Sequence, residues 1–173
     1  MPPSASSVAS RRTRARRSTR RLRRGRGIHL LDIENLTGSP SPTSAQVAAF
    51  MGRYRDLVPI GPSDQFIAAV NPGAVLSVGT TLRGIQLLSR SGPDGADRAL
   101  TESAYADRLP ERFERVVIGS GDGHFTDLAA WLAGHGMHVT VVSRAGSLNW
   151  RLYLAAPAVV TFATPTAPTA RAA

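Results

Sequence analysis

Six short apolar runs, each separated from the next by a longer stretch with helical spacing, constrain this chain more than any other feature. They span 28–33, 65–70, 85–89, 115–119, 137–142 and, more weakly, 158–162. Runs this short and rich in β-branched residues, lacking strict polar alternation, read as strands buried on both faces. Between them, apolar spacing predicts helices over 43–56, 74–82, 95–108, 124–134 and 147–155. Regular strand–helix alternation predicts a parallel sheet covered by helices on both faces, a three-layer α/β/α Rossmann-like fold. Right-handed crossovers then leave only a few doubly wound topologies. In such sheets ligands sit outside the carboxyl ends of the strands, near the point where strand order reverses. The residues that follow each strand are therefore where chemistry is expected.

The chain has 173 residues, enough for one core with tails, and a formal charge of +9. That charge is localised. Arg11, Arg12, Arg14, Arg16, Arg17, Arg20, Arg21, Arg23, Arg24 and Arg26 precede the first strand, leaving eleven arginines against all twelve acids in the remainder. Residues 1–26 hold too little apolar surface to offset chain entropy and are expected to be disordered, as is the Thr/Pro/Ala-rich stretch 163–173. The folded unit is expected at 28–162. The arginine tail is read as RNA-binding; engagement of every arginine by single-stranded RNA would give a log–log salt slope of about −7. A solubilising tail, or one that meets an anionic protein, is the alternative. With no Cys, thiolate metal sites, disulfides and cysteine nucleophiles are excluded. No apolar run reaches membrane-spanning length, and the tail lacks both an amphipathic face and a signal-peptide core, so a cytoplasmic protein without a membrane partner is expected.

Three acids are expected at the carboxyl edge. Asp32 ends the first strand, where a buried acid is costly unless paired or bound to a cation. Asp122 follows the fourth strand within Gly119-Ser120-Gly121-Asp122-Gly123-His124-Phe125, whose glycines let the backbone turn sharply. Asp97, with Asp94 before it, opens the helix after the third strand. Helix capping would account for one of Asp94 and Asp97. Carboxylates about 5 Å apart repel by roughly 1 kcal/mol in water and several times that when partly buried, and a divalent cation reverses the sign. Oxygen-only ligands favour Mg²⁺ or Mn²⁺, which can activate water for attack on a phosphodiester. Separate caps and turns are the competing reading. The glycine spacing fits neither a dinucleotide loop nor a nucleophile elbow.

Asp32 with Asn35, then Gly95-Ala96-Asp97 ahead of Leu100, then Ser120-Gly121-Asp122-Gly123-His124-Phe125 ahead of Leu128, resembles in order and spacing the NYN domain, a branch of the PIN-like ribonucleases. The resemblance covers about 28–162. It implies a PIN-like Rossmann sandwich, a Mg²⁺- or Mn²⁺-dependent ribonuclease, and Asp32, Asp97 and Asp122 as catalytic metal ligands. Asn35 would match the polar partner of the first acid, and Ser120 belongs to the same motif. His124 stands where many members carry a second acid, and imidazole suits Mn²⁺ or Zn²⁺ better than Mg²⁺; Asp94 and Asp127 are the acids able to compensate. A non-catalytic NYN-like module that binds RNA or protein is the alternative, with a nucleotide-binding Rossmann-like domain a more distant one.

Arg144, ending the fifth strand on the functional edge, is a candidate RNA phosphate ligand, with a solvated arginine as the competing reading. His29 reads as a satisfied core histidine, and His135 as a complement to a helix carboxyl terminus. Trp131, Trp150 and Tyr153 are expected as core or subunit contacts ahead of base-stacking platforms, which leaves a homo-oligomer open.

Overall fold

The computed structural model describes residues 23–163. In chain order the elements are β1 (Gly27–Asp32), α1 (Ile33–Thr37), α2 (Ser44–Leu57), β2 (Gln65–Val70), α3 (Val75–Thr81), β3 (Gln86–Ser89), α4 (Gly95–Ala106), α5 (Leu109–Arg112), β4 (Arg115–Gly119), α6 (Thr126–Gly134), β5 (His138–Arg144), α7 (Trp150–Ala155) and β6 (Ala158–Phe162). One-turn 3₁₀ helices at Pro72–Ala74 and Gly123–Phe125 lead into α3 and α6.

All six strands are parallel, in the order β3-β2-β1-β4-β5-β6. Strand period two sorts their side chains into two cores. Ile28, Leu30, Ile67, Val116, Ile118 and Val141 face one way and meet Leu100 of α4, Phe113, Leu128 and Leu132 of α6, and Leu152 of α7. Leu31, Ala68, Val70, Val117 and Val142 face the other way and meet Leu36 of α1, Phe50 and Tyr54 of α2, and Val78 of α3. A central strand with helices on both sides has no wet face, which is why the runs are nearly continuously apolar. The three-layer Rossmann-like fold is thus present.

Local chemistry shifts some boundaries. Asp32 accepts a hydrogen bond from the Asn35 amide and so turns the chain into α1, a helix that apolar periodicity did not signal. The long helix expected over 95–108 divides at Arg108, whose φ is +48°, and restarts as α5 with Pro110 in its first turn. The final helix begins only at Trp150, because Ala145–Asn149 wrap a turn around Gly146.

At the amino end of the sheet, His29 is fully buried as a core residue. Its Nδ1 lies 2.6 Å from the Tyr54 hydroxyl, its Nε2 lies 3.2 Å from Asp64 Oδ2, and its ring stacks on Phe66. Burial lowers its pKa even against the pull of Asp64. Asp64 in turn accepts from Arg115 Nη2 at 2.7 Å and from the amides of Gly27 and Gly61. His135 caps α6, its Nδ1 2.7 Å from the Trp131 carbonyl.

Of the tail arginines, Arg11 to Arg21 lie outside the described residues, as does the carboxyl-terminal stretch beyond Ala163. Arg23 and Arg26, assigned above to a disordered RNA-binding tail, are docked on the domain. Arg23 donates to the Phe113 and Gly136 carbonyls at 2.9 and 3.1 Å, and the Arg26 guanidinium lies 5.0 Å from the Phe113 ring centre. Arg24 is exposed. The tail therefore enters at the amino end of β1, the end opposite the carboxyl edge.

Candidate functional site

Strand order reverses between β1 and β4: one connects outward to β2 and β3, the other to β5 and β6. Their registered ends, Leu31 beside Gly119, place Asp32 and the Ser120–Asp122 loop at the crevice where this class of sheet binds ligands.

Asp32 is held from two sides. Its Oδ1 accepts the Asn35 amide at 3.1 Å, and its Oδ2 accepts the Ser120 hydroxyl at 3.0 Å. Ser120 is fully buried and also accepts the Asp122 amide at 3.1 Å. Asn35 accepts the Gly121 amide on its side chain at 2.9 Å, and its carbonyl accepts Arg144 Nε at 2.6 Å. These bonds tie the ends of β1, β4 and β5 into one unit.

Asp97 comes from α4, and its carboxyl lies near enough to that of Asp32 for each to act on the other's charge. The two side chains belong to residues only 5 % and 7 % exposed. Capping does not explain Asp97. The residue at the cap position, Asp94, has φ +54° and makes no side-chain cap bond, and Asp97 Oδ1 is buried with no hydrogen-bond partner. Burial, then the charge of Asp32, then those of Asp122 and Asp94, push the Asp97 carboxyl up to about 8. Burial also raises Asp32, against the hydrogen bonds it accepts. Close carboxylates disfavour one another's charged forms, which a cation between them would reverse.

A cleft of about 210 Å³ opens over this pair, lined by Asp32, Glu34, Asn71, Arg90, Asp94 and Asp97 among others. Glu34 is fixed by the Asn71 amide at 2.6 Å, and Arg90 by Glu102 at 2.6 Å. Asn71 and Arg90 escaped the sequence reading, although each directly follows a strand, β2 and β3, on the same edge.

The expected meeting of three aspartates is only partly realised. Asp32 and Asp97 line one cleft and act on each other's charge. Asp122 reaches Asp97 electrostatically, yet it is exposed, and its Oδ1 is turned back to accept the His124 amide at 2.8 Å. Among the described residues no three His, Asp or Glu side chains stand together in a group that would hold an ion. The local turn has claimed the third carboxylate. His124 is exposed beside Phe125, and Asp94 lines the cleft. The donor set still suits a hard cation: two adjoining buried carboxylates, one with an oxygen lacking any partner, and only oxygen ligands nearby.

Gly121 is where the loop admits no side chain. A Cβ there would overlap the Ser147 carbonyl and the Ser143 hydroxyl. Gly121→Ala is expected to destabilise the fold by about 1–3 kcal/mol, read by urea unfolding; an unchanged midpoint would mean the two loops separate freely.

No family model matches the chain, and no curated protein matches it. Among solved structures, the chain is similar to the crystal structure of a protein of unknown function from Vibrio parahaemolyticus, with 18 % identity, a TM-score of 0.58, and coverage of 79 % of this chain and 91 % of that one. At that identity the likeness concerns the fold, and it extends over nearly the whole of the other chain.

Proposed function

We propose that this protein is a metal-dependent hydrolase of RNA phosphodiester bonds, of the NYN branch of PIN-like ribonucleases, with Asp32 and Asp97 as the central ligands of Mg²⁺ or Mn²⁺. The observation that carries the reading is the buried Asp97 oxygen with no partner, beside a second buried carboxylate at the reversal point of the sheet. A divalent ion bound there would supply activation of water and neutralisation of charge on the phosphodiester. The chain's own residues supply the rest. Asn35 and Ser120 fix the orientation of Asp32, so its carboxylate does not reorganise on binding. Asp97, with one oxygen that has no partner, would hold the ion in its carboxylate form. Asp122, whose charge acts on Asp97, would be the third ligand if freed from the His124 amide. RNA as substrate rests on the motif series and on the arginine tail, and the proposed setting is the cytoplasm; no helix among the described residues is long and apolar enough to cross a membrane.

Wild type is expected to cleave RNA with Mn²⁺ or Mg²⁺ and to be silenced by chelator. Asp122→Asn should lower the rate about 100-fold or more, the scale on which losing one group that stabilises transition-state charge acts. Cleavage at the wild-type rate in that variant would remove Asp122 from the site. One observation favours a second reading, a non-catalytic RNA-binding module: the described acids do not close into a three-ligand group. That reading expects tight RNA binding that survives chelator and Asp122→Asn, with no cleavage in either ion.

A further inference from the structure

Trp150 and Tyr153, expected above in the core or at a subunit contact, are 65 % and 57 % exposed, and Leu154 beside them is 71 % exposed. At spacings i, i+3 and i+4 the three share one face of α7. Leu152, the buried residue of that helix, lies on the opposite face. α7 joins β5 to β6 and packs beside α6, so it closes its helical layer at the β6 end of the sheet.

The strand at that end has an open edge, since β6 pairs with β5 alone. The Phe162 carbonyl accepts the Ala145 amide at 2.7 Å, so the peptide groups of Phe162 face β5. Peptide groups alternate in direction along an extended strand, and those of Val159 and Thr161 therefore face away from the sheet. Proteins protect such edges with charge, proline, bulges or very short strands. β3, at the other edge, has 4 residues and is followed directly by Arg90. β6 has 5, Ala-Val-Val-Thr-Phe, with no charge, Pro or Gly among them.

From Ala145 to Ala163 the only charged side chain is Arg151, and its guanidinium is drawn over Trp150, 5.4 Å from the ring centre. A charged partner has little to pair with on this rim, whereas a like surface meets little repulsion. Three side chains at these exposures offer roughly 400 Å², against about 800 Å² that a stable interface takes from each partner. Every residue from Ala155 to Thr161 adds exposed surface along the same rim.

We propose that β6 and α7 form a two-fold interface with a second copy of this chain, in which β6 pairs antiparallel with its counterpart and the two α7 stripes close over the seam. An axis at Val160 sets Val159 opposite Thr161 of the partner subunit, so the outward N–H and C=O groups of both strands satisfy one another. The result is a twelve-stranded sheet whose halves run in opposite directions. The two acidic clefts then open at opposite ends, and neither is covered, because β6 lies three strands away from β1. The interface uses no residue of the cleft and is independent of the hydrolase reading.

The test is sedimentation of the full chain, free of nucleic acid and at high salt, so that association bridged by the arginine tail is dispersed. Wild type is expected to sediment as a dimer. Thr161→Pro removes an outward N–H that the pairing with β5 does not use, and Leu154→Arg sets a cation in the seam. Each should weaken the dimer at least about 30-fold while circular dichroism shows a folded chain. Leu76→Arg, at a residue 78 % exposed on α3 near the far edge, should leave the dimer unchanged. The chain has no Cys, so Val160→Cys places one thiol per copy at the axis. A non-hydrogen-bonded antiparallel pair brings Cα atoms to about 4.5 Å, within disulfide reach. Mild oxidation should convert most of this variant to a covalent dimer and leave Leu88→Cys on β3 uncrosslinked. A wild type that stays monomeric at about 100 µM, where an interface of standard size forms, would overturn the proposal and leave the rim to another protein or to RNA. A dimer that withstands both Thr161→Pro and Leu154→Arg, or one that Leu88→Cys traps and Val160→Cys does not, would overturn it too by placing the contact elsewhere.

Discussion

Asp97→Asn should make the protein more stable and inactive at once. In wild type the folded carboxyl titrates near 8 against an ordinary value of 3.8. Between those values the folded state keeps a proton that the unfolded chain has released. Unfolding free energy therefore falls as pH rises through that window and levels off above it, because stability increases with pH only where the unfolded state binds more protons. Asparagine carries no such proton and cannot repel Asp32. The stability difference, variant minus wild type, should be small near pH 4, grow through neutrality, and reach about 2 kcal/mol or more by about pH 8.5, roughly 5 °C in Tm. Thermal unfolding across that range without metal, with RNA cleavage measured alongside, checks both halves. A variant less stable than wild type at alkaline pH would show that Asp97 is a structural acid and not a destabilised one kept for a ligand. Saturating Mn²⁺ should flatten the wild-type slope, since an ion replaces that proton.

Asp64→Ala is expected to do the reverse: to damage the fold and spare the cleft. The Asp64 side chain has no exposed surface and answers Arg115, His29 and the Gly27 and Gly61 amides. Burial alone would raise this carboxyl, but those donors outweigh it and hold it below its ordinary value. Its stabilisation is therefore present above the unfolded pKa and lost as pH falls toward the folded one. Removing it leaves a half-buried guanidinium and two amides without acceptors, a loss of about 3–5 kcal/mol. Along β1, at about 3.3 Å per residue, the network's members His29 and Gly27 lie some 10 and 16 Å from Asp32. Protein still folded at low temperature should cleave RNA at the wild-type rate. A loss below 1 kcal/mol would mean that water readily replaces the carboxylate.

The sheet was legible because burial on both faces leaves an unbroken apolar signature, and Gln65–Val70 and Arg115–Gly119 fall where their runs predict. Asp32 and Asp97 were legible for a related reason: acids directly after apolar runs or opening a helix must sit at an edge. What the pattern did not carry was side-chain direction. Asp122 lies on the expected loop, but a bond to the His124 amide, not the strand register, decides where its carboxylate points. Trp150 and Tyr153 sit at helical spacing that suits a core, yet a helix of 6 residues needs only Leu152 to anchor it, which leaves the rings outside. Arg23 and Arg26 belong by composition to a charged tail; specific carbonyls and the Phe113 ring draw them onto the domain. The Arg23 contact joins residues 90 positions apart, for which local spacing holds no trace, whereas the Asp122 bond is local and turns on a side-chain rotation that residue spacing does not encode.

The hydrogen bond from Ser120 to Asp32 joins residues 88 positions apart, through the pairing of the two central strands. During synthesis from the amino terminus, β1 therefore waits for β4 and the Ser120 hydroxyl until some 120 residues have been made. Long-range parallel pairing is slow to form, since its loop entropy must be overcome first. A nascent fragment that ends before Ser120 already carries Asp97 and Asn35, yet leaves Asp32 Oδ2 without the hydroxyl that orients it.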